Sequence, residues 1–412
     1  MFRNRKSLFL SLIILMLIST SVFAERWNIY AGADQKTLEA IKTCDGFIAE
    51  QQYQSAVNAV GACNNEYMIY KYIEVCTQYF AQSMMHTMFA FKNLSEGETL
   101  HDVRTKDGSF NLTFRDEPDK IIDDYKSAHG NSMILELARA NYYFDALMRY
   151  GNQWLKTPDE ILTLVKDVYS RAVAKEVYDE RVINNYASLF FNEKNWAGAE
   201  KLYALLAEHD STNGSYWYNL TVAKMWQEKY KESIEPAKMA VDNPEEDPNN
   251  HLDAYTILAD AYAYSGDFEN AEKTLFAAHE KYNYQPIVFQ RLAELYLIHK
   301  DNYNFEKGEA YLDQVLTVVC DSTTIFNCIK VYMNLSAPDK AIDFCTRNMK
   351  KYKDKKCQGY FNYFLAQLYA ITGDKTKTYK ALDEAKKIFK NLKDEQWLNT
   401  CESLKADLDK MN

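Results

Sequence analysis

Ala254-Tyr255-Thr256-Ile257-Leu258-Ala259-Asp260-Ala261-Tyr262, then Gly266-Asp267-Phe268, then Ala271 through Ala278, is the stretch that decides the fold. It reads as aromatic, Leu, small residue and Tyr, then a turn, then an aromatic and more small residues. The same pattern returns roughly every 34 residues, the period of stacked helical hairpins. One such unit cannot bury its apolar stripe alone, so it must stack on neighbours and specifies a solenoid. A solenoid is a surface for holding something else.

Within this unit Tyr255, Leu258, Ala259 and Tyr262 belong to a first helix, A. Gly266 and Phe268 belong to the turn, and Ala271, Leu275 and Ala278 to a second helix, B. Small residues fall where the two helices approach most closely, and larger ones fill the space beside them. One period earlier stand Trp217, Leu220, Tyr230, Ser233, Ala237 and Ala240, with Lys224 where an A-helix aromatic is expected. Earlier still come Ile183, Tyr186, Ala187, Phe190, Ala199, Tyr203 and Leu206. Forward of the best unit lie Phe289, Leu292, Ala293 and Tyr296, with extra residues around 300–304 that lengthen the turn before Phe305, Gly308 and Leu312. Ile325, Cys328, Tyr332, Ala341 and Cys345 form a weaker unit, and Leu365, Ala366, Tyr369, Gly373, Leu382 and Ala385 a clear last one.

These repeats resemble the tetratricopeptide repeat family. The resemblance implies an all-α, right-handed superhelical solenoid of helical hairpins. It covers about six repeats over residues 180–392, and 393–412 then reads as a capping helix. Residues 25–179 read as an irregular helical region of the same kind, with one further unit at 38–63 and degenerate helices elsewhere. An insertion near 92–118 interrupts it. There 99–105 and 110–114 favour strand, and Lys106-Asp107-Gly108-Ser109 between them suits a small β-hairpin.

Composition narrows the class. The chain has 412 residues, 47% hydrophobic and 26% charged, so wholesale disorder is excluded. Only 13 Gly and 7 Pro suit long helices, and 31 Tyr with 21 Phe supply large side chains for seams or a groove. Arg3, Arg5 and Lys6, the apolar run from Leu8 to Phe23 and the small residues Val22 and Ala24 read as a secretion signal, residues 1–24, cleaved before Glu25. The run is shorter than the roughly 20 residues of a membrane span. Removing it takes the formal charge from −10 to −13. An acidic surface disfavours nucleic acid and anionic lipid. The expected setting is therefore the periplasm or cell envelope, with a protein or peptide partner and no transmembrane segment after cleavage.

No catalytic constellation is present: no phosphate loop, no G-x-G-x-x-G, no H-E-x-x-H and no G-x-S-x-G. The seven His (86, 101, 129, 209, 251, 279, 299) include no pair at helical i, i+4 spacing, so no metal or cofactor is expected. Eight Cys in an exported chain allow disulfides. Cys328 and Cys345, at one level of a hairpin, are the first candidates. Paired helix axes lie about 8–10 Å apart, whereas a disulfide needs Cα atoms within about 7 Å. The favoured reading is therefore small apolar seam residues, for this pair and for the other cysteines.

The family resemblance implies a partner groove lined by A-helix residues that point away from helix B. Carried onto this chain, the lining is Asn184, Ser188 and Phe191, then Tyr218, Val222, Met225 and Trp226. Asp253, Thr256, Asp260 and Tyr264 continue it, then Gln290 and Glu294. The Lys, Asn and Arg clamp by which some relatives grip a C-terminal carboxylate is absent. Aromatic and Met anchors beside acidic groups suit an apolar and basic segment. The leading expectation is an exported, non-enzymatic scaffold for a protein partner, within an envelope assembly or transport complex. A binding protein for a small or lipidic ligand among the helices of 66–177 is the alternative; it needs an apolar pocket open at one end. An enzyme would first show as a cluster of buried carboxylates in a cleft.

Overall fold

The computed structural model describes residues 27–80, 89–90, 113–114, 118–150, 156–244, 247–283 and 285–410. The secretion signal, the 99–105 run and the 106–109 turn lie outside them. The chain divides into two compact units, one up to Leu206 and one from Ala207 onward.

In the first unit α1 (Gln35–Ala49) and α2 (Tyr53–Val60) form a hairpin, followed by α3 (Glu66–Glu74), which runs on as a π-helical turn over Val75–Phe80. After the insertion come α4 (Pro118–His129), α5 (Met133–Tyr150), α6 (Pro158–Ala174), α7 (Glu180–Asn192) and the start of α8 (Trp196–His209). A buried polar chain ties them together. The Tyr70 hydroxyl donates to Asp179 and accepts from Asn141, whose carbonyl accepts from the Tyr169 hydroxyl. Asn185 donates in turn to Tyr169. Every member has a partner, which is what makes burial of these groups tolerable. Lys71, 7% exposed, is held by Asp45 at 2.7 Å and Glu74 at 3.0 Å.

Among the described residues the expected β-hairpin does not appear. Among them Thr113–Phe114 (β2) pairs antiparallel with Phe89–Ala90 (β1), far back in the chain, rather than with the 99–105 run. A two-residue ladder is too short to stand alone. The two strands are minor marks among described residues that are otherwise helical wherever they are regular.

The second unit carries, after the end of α8, α9 (Gly214–Met225), α10 (Tyr230–Asp242), α11 (Pro248–Tyr264), α12 (Phe268–Tyr282), α13 (Pro286–Leu297) and α14 (Phe305–Val318). Then follow α15 (Ser322–Asn334), α16 (Pro338–Lys351), α17 (Lys355–Ile371), α18 (Lys375–Leu392) and α19 (Glu395–Lys410). Consecutive helices pack as antiparallel hairpins. Gly308 at the start of α14 meets Leu297 at the end of α13, where an added Cβ would lie 2.5 Å from Leu297 Cγ. Ala271, Leu275 and Ala278 are at most 1% exposed, as their helix-contact spacing requires. Lys224, placed where an aromatic was expected, keeps its ammonium 3.6 Å from Glu232 of α10 while its stem stays largely covered.

Local chemistry explains where many of the helices start and stop. Asp179, Asn213, Asp247, Asp267, Asn304, Asp321, Asp354 and Asp374 each accept a backbone N–H of the helix they precede. The turns repeat as closely as the helices. Asn195, Lys229, Asp267, Ala337 and Asp374 donate N–H back to the carbonyls of Phe190, Lys224, Tyr262, Tyr332 and Tyr369. Just before each donor stands a residue with positive φ: Lys194, Glu228, Gly266, Ser336 and Gly373. This is the Schellman way of closing a helix. The lengthened turn departs from it with a 3-10 turn at Lys300–Asn302, and Asn304 N–H reaches Tyr296 O at 2.8 Å.

The cysteines correct the sequence reading. Cys320 and Cys357 are disulfide-bonded, with Cα atoms 5.9 Å apart. Cys328 and Cys345 are free thiols, fully buried, and burial pushes both thiols up. A pair facing across a hairpin is held apart by the two helices. Cys320, just after α14, and Cys357, in the first turn of α17, lie about one repeat apart, where successive helices begin side by side.

Candidate functional site

Three neighbouring A helices of the second unit, α9, α11 and α13, bring together most of the expected groove residues. Arg291 of α13 is the centre. Its guanidinium lies 2.6 Å from Glu294 one turn along and 3.6 Å from Asp260 of α11. Gln290 donates to Glu294 at 3.0 Å. Tyr264 stacks on Tyr230 of α10 with ring centres 5.2 Å apart, and meets the His299 ring edge-on at 4.9 Å.

Desolvation sets the electrostatics. Burial pushes the Asp260 carboxyl up to about 6; Arg291 pulls it back and Glu294 adds to the rise. Asp253, more exposed, is raised by burial against the pull of Arg291. Burial also raises Tyr218, and the charges of Asp253 and Asp260 add to it, so this hydroxyl shares their field. The same covering lowers His299, which favours its neutral ring. Two carboxylates therefore share one guanidinium in a partly dry cleft.

Arg291 was not among the residues picked from sequence. Its signal was the i, i+3 spacing to Glu294, which marks a helix-face ion pair. The cross-helix bond to Asp260 needs the stacking of α13 on α11. The groove is thus less acidic than its carboxylates alone suggest.

The remaining residues divide. Trp226 stands at the end of α9 with 66% of its surface exposed, and Tyr264 with 49%. Thr256 is 7% exposed, its hydroxyl bonded back to Asp253 O, so it offers the groove little. Met225 turns to α10, where the Ser233 hydroxyl sits 3.1 Å from its sulfur. Ser188 and Phe191 of α7 face α8, touching Tyr203 and, for Phe191, Trp196. Met225, Ser188 and Phe191 depart from the carried-over positions because each meets the partner helix of its own hairpin, whereas the Thr256 hydroxyl is taken up by its own helix. Asn184 is half-buried on α7, in the first unit.

Two cavities open along the A helices. One is lined by Asp260, Tyr264, Arg291, Glu294, Ile298 and His299. The other is bordered by Asn249, Asp253, Gln285, Gln290, Thr324 and Asn327, amide and hydroxyl groups from three successive repeats. A raised carboxyl in a cleft is also what acid–base chemistry requires. Here, however, the guanidinium engages both Asp260 and Glu294. In the first unit a cavity between α4, α5 and α6 is lined by aliphatic Ile122, Leu135, Leu164 and Val168 together with the charged Lys126, Glu136, Arg139, Asp167 and Arg171, so its wall is mixed rather than apolar. Among the described residues no group of three His, Cys, Asp or Glu is placed to hold a metal ion, and no helix is long and apolar enough to cross a membrane.

No family model matches the chain, and no curated protein matches it. Solved structures do. Yeast Tom70 is 12% identical over 90% of this chain and 96% of its own, with a TM-score of 0.38. A tetratricopeptide repeat protein from Parabacteroides merdae is 11% identical over 63% of this chain and 99% of its own, with a TM-score of 0.38. YrrB, described as a TPR protein with an unusual peptide-binding site, is 14% identical over 57% of this chain and 97% of its own, with a TM-score of 0.29.

Proposed function

We propose that this chain is an exported, non-enzymatic scaffold that holds a protein or peptide partner along the A helices of a right-handed superhelical repeat array. The observation that carries the reading is the cleft around Arg291. There Tyr218, Asp253, Asp260, Tyr264 and Glu294 from three helices meet in a partly desolvated space. Exposed Trp226 and Tyr264 are rigid aromatic anchors of the sort that dominate interface energies. Three carboxylates against one guanidinium leave the cleft acidic, which favours a segment that pairs apolar with basic residues. The Cys320–Cys357 disulfide supports an oxidising compartment, in keeping with export to a periplasm or cell envelope.

The test places a photo-crosslinking amino acid at Tyr218, at Tyr264 or at Phe276, an exposed position on helix B of the same unit. Expressed in the source cells, the first two positions should trap one and the same protein, and the third should not. Equal trapping at all three positions, or none at 218 and 264, would overturn the cleft as the binding surface.

A further inference from the structure

We propose that Cys320–Cys357 is a redox-sensitive latch that closes the α15–α16 hairpin and sets the C-terminal wall of the amide-lined cavity. The proposal does not depend on what the cleft binds. Cys320 follows α14 and Cys357 opens α17, so the bond encloses one whole hairpin in a covalent loop with a sequence separation of 37. In a repeat array each hairpin is held only by its neighbours and can open locally. A cross-link around a single hairpin removes that freedom.

The two ends of the bond sit at the hinge points of these helices. Asp321, next to Cys320, caps α15 by accepting from Thr324 N–H at 2.8 Å. Asp354 caps α17 by accepting from the Cys357 N–H itself at 2.7 Å. Thr324 and Asn327, within the first two turns of α15, line the cavity opposite Asp253 and Gln290. Phe326, half exposed, packs on Phe364 of α17 with ring centres 6.0 Å apart. Releasing the bond therefore frees the turn that carries the cavity wall.

The chemistry is directional. Cys320 is half-buried, whereas Cys357 is 1% exposed, so an incoming thiolate meets Cys320. Attack on Cys320 Sγ by one thiolate of a dithiol reductant breaks the S–S bond. Cys357 leaves as thiolate in the first turn of a helix, where backbone N–H groups favour negative charge, and then takes a proton. The second thiolate of the reductant attacks the mixed disulfide and releases the Cys320 thiolate, which is protonated. The protein gains two electrons and two protons, and the reductant becomes a disulfide. The buried thiols of Cys328 and Cys345 take no part.

The test uses the full chain, purified from an oxidising compartment and compared with and without dithiothreitol. Peptide mapping of a sample alkylated after denaturation should find Cys320 linked to Cys357 and both Cys328 and Cys345 as alkylated free thiols. Reduction should speed amide exchange in α15 and α16 by roughly several hundredfold, as loop-closure entropy for this span predicts, while α11–α13 stay unchanged. Cys320→Ser/Cys357→Ser should exchange like the reduced protein and ignore the reductant. Free Cys320 and Cys357 in the oxidised protein, unchanged exchange, or an equal rise in every helix would each overturn the latch. Should the double variant not fold, the two states of the natural protein decide the matter alone.

Discussion

Arg291 holds Glu294 at 2.6 Å on its own helix and reaches Asp260 at 3.6 Å on the helix of the preceding repeat. One cation thus joins a local ion pair to an inter-repeat one, and the cleft keeps its shape only while both are satisfied. Removing a single member of such a partly buried set costs more than removing opposite charges together.

Arg291→Met should therefore destabilise the protein by about 2 kcal/mol, since Asp260 and Glu294 lose their only close guanidinium. Adding Asp260→Asn to it should recover about half of that loss. Urea unfolding of the two single variants and the double variant closes the cycle. Strict additivity would mean that the 3.6 Å contact carries no coupling.

The pH dependence follows from Asp260. Its carboxyl sits near 6 in the folded chain, above the ordinary carboxylate value, because burial disfavours its charge. The folded state then binds more protons than the unfolded state between about pH 6 and pH 4, so this group's contribution to stability rises as pH falls through that window. With 27% of the side chain still exposed, the gain should be about 1 kcal/mol. Melting curves from pH 7 to 5 should show a flatter profile for Asp260→Asn than for the natural chain. Parallel profiles would refute the assignment.

The repeated turns offer a stabilising change. Lys194, Glu228 and Ser336 occupy the left-handed position that Gly266 and Gly373 fill without strain. Replacing Glu228 by Gly should stabilise by about 0.5–1 kcal/mol, and Gly266→Ala should destabilise by about 1 kcal/mol. Opposite signs in thermal unfolding are the expected result.

In the first unit, Asn141 links Tyr70 to Tyr169 and is 2% exposed. Asn141→Leu takes one partner from each of two buried hydroxyls, leaving Tyr70 with Asp179 and Tyr169 with Asn185, and should cost about 2–3 kcal/mol. Tyr70→Phe leaves Asp179 still bonded to the Val182 N–H and should cost less. Guanidinium denaturation that ranks them the other way round would show that Asp179, not Asn141, organises the network.

Much of the helical array was legible because its signals are local. Ala271, Leu275 and Ala278 mark a helix contact by spacing alone, and an Asp before the helices that open at Pro248 and Phe268 marks their starts. The site was less legible. Met225, Ser188 and Phe191 occupy positions that a family register turns outward, yet each is drawn into a seam by a neighbour that spacing does not reveal. Of the strand signal at 110–114 the described residues are Thr113–Phe114, and their partner comes from a distant segment.

By itself the sequence determined the helical hairpins, their period, their caps and the widened turn after Tyr296, since backbone hydrogen bonding and apolar spacing act over a few residues. Only the tertiary structure decided which side chains meet across repeats: Arg291 with Asp260, Cys320 with Cys357, Tyr70 with Asp179. Those contacts depend on how far one repeat is rotated and shifted on the next. That displacement is set by the summed packing of many seam residues, and no single motif encodes it.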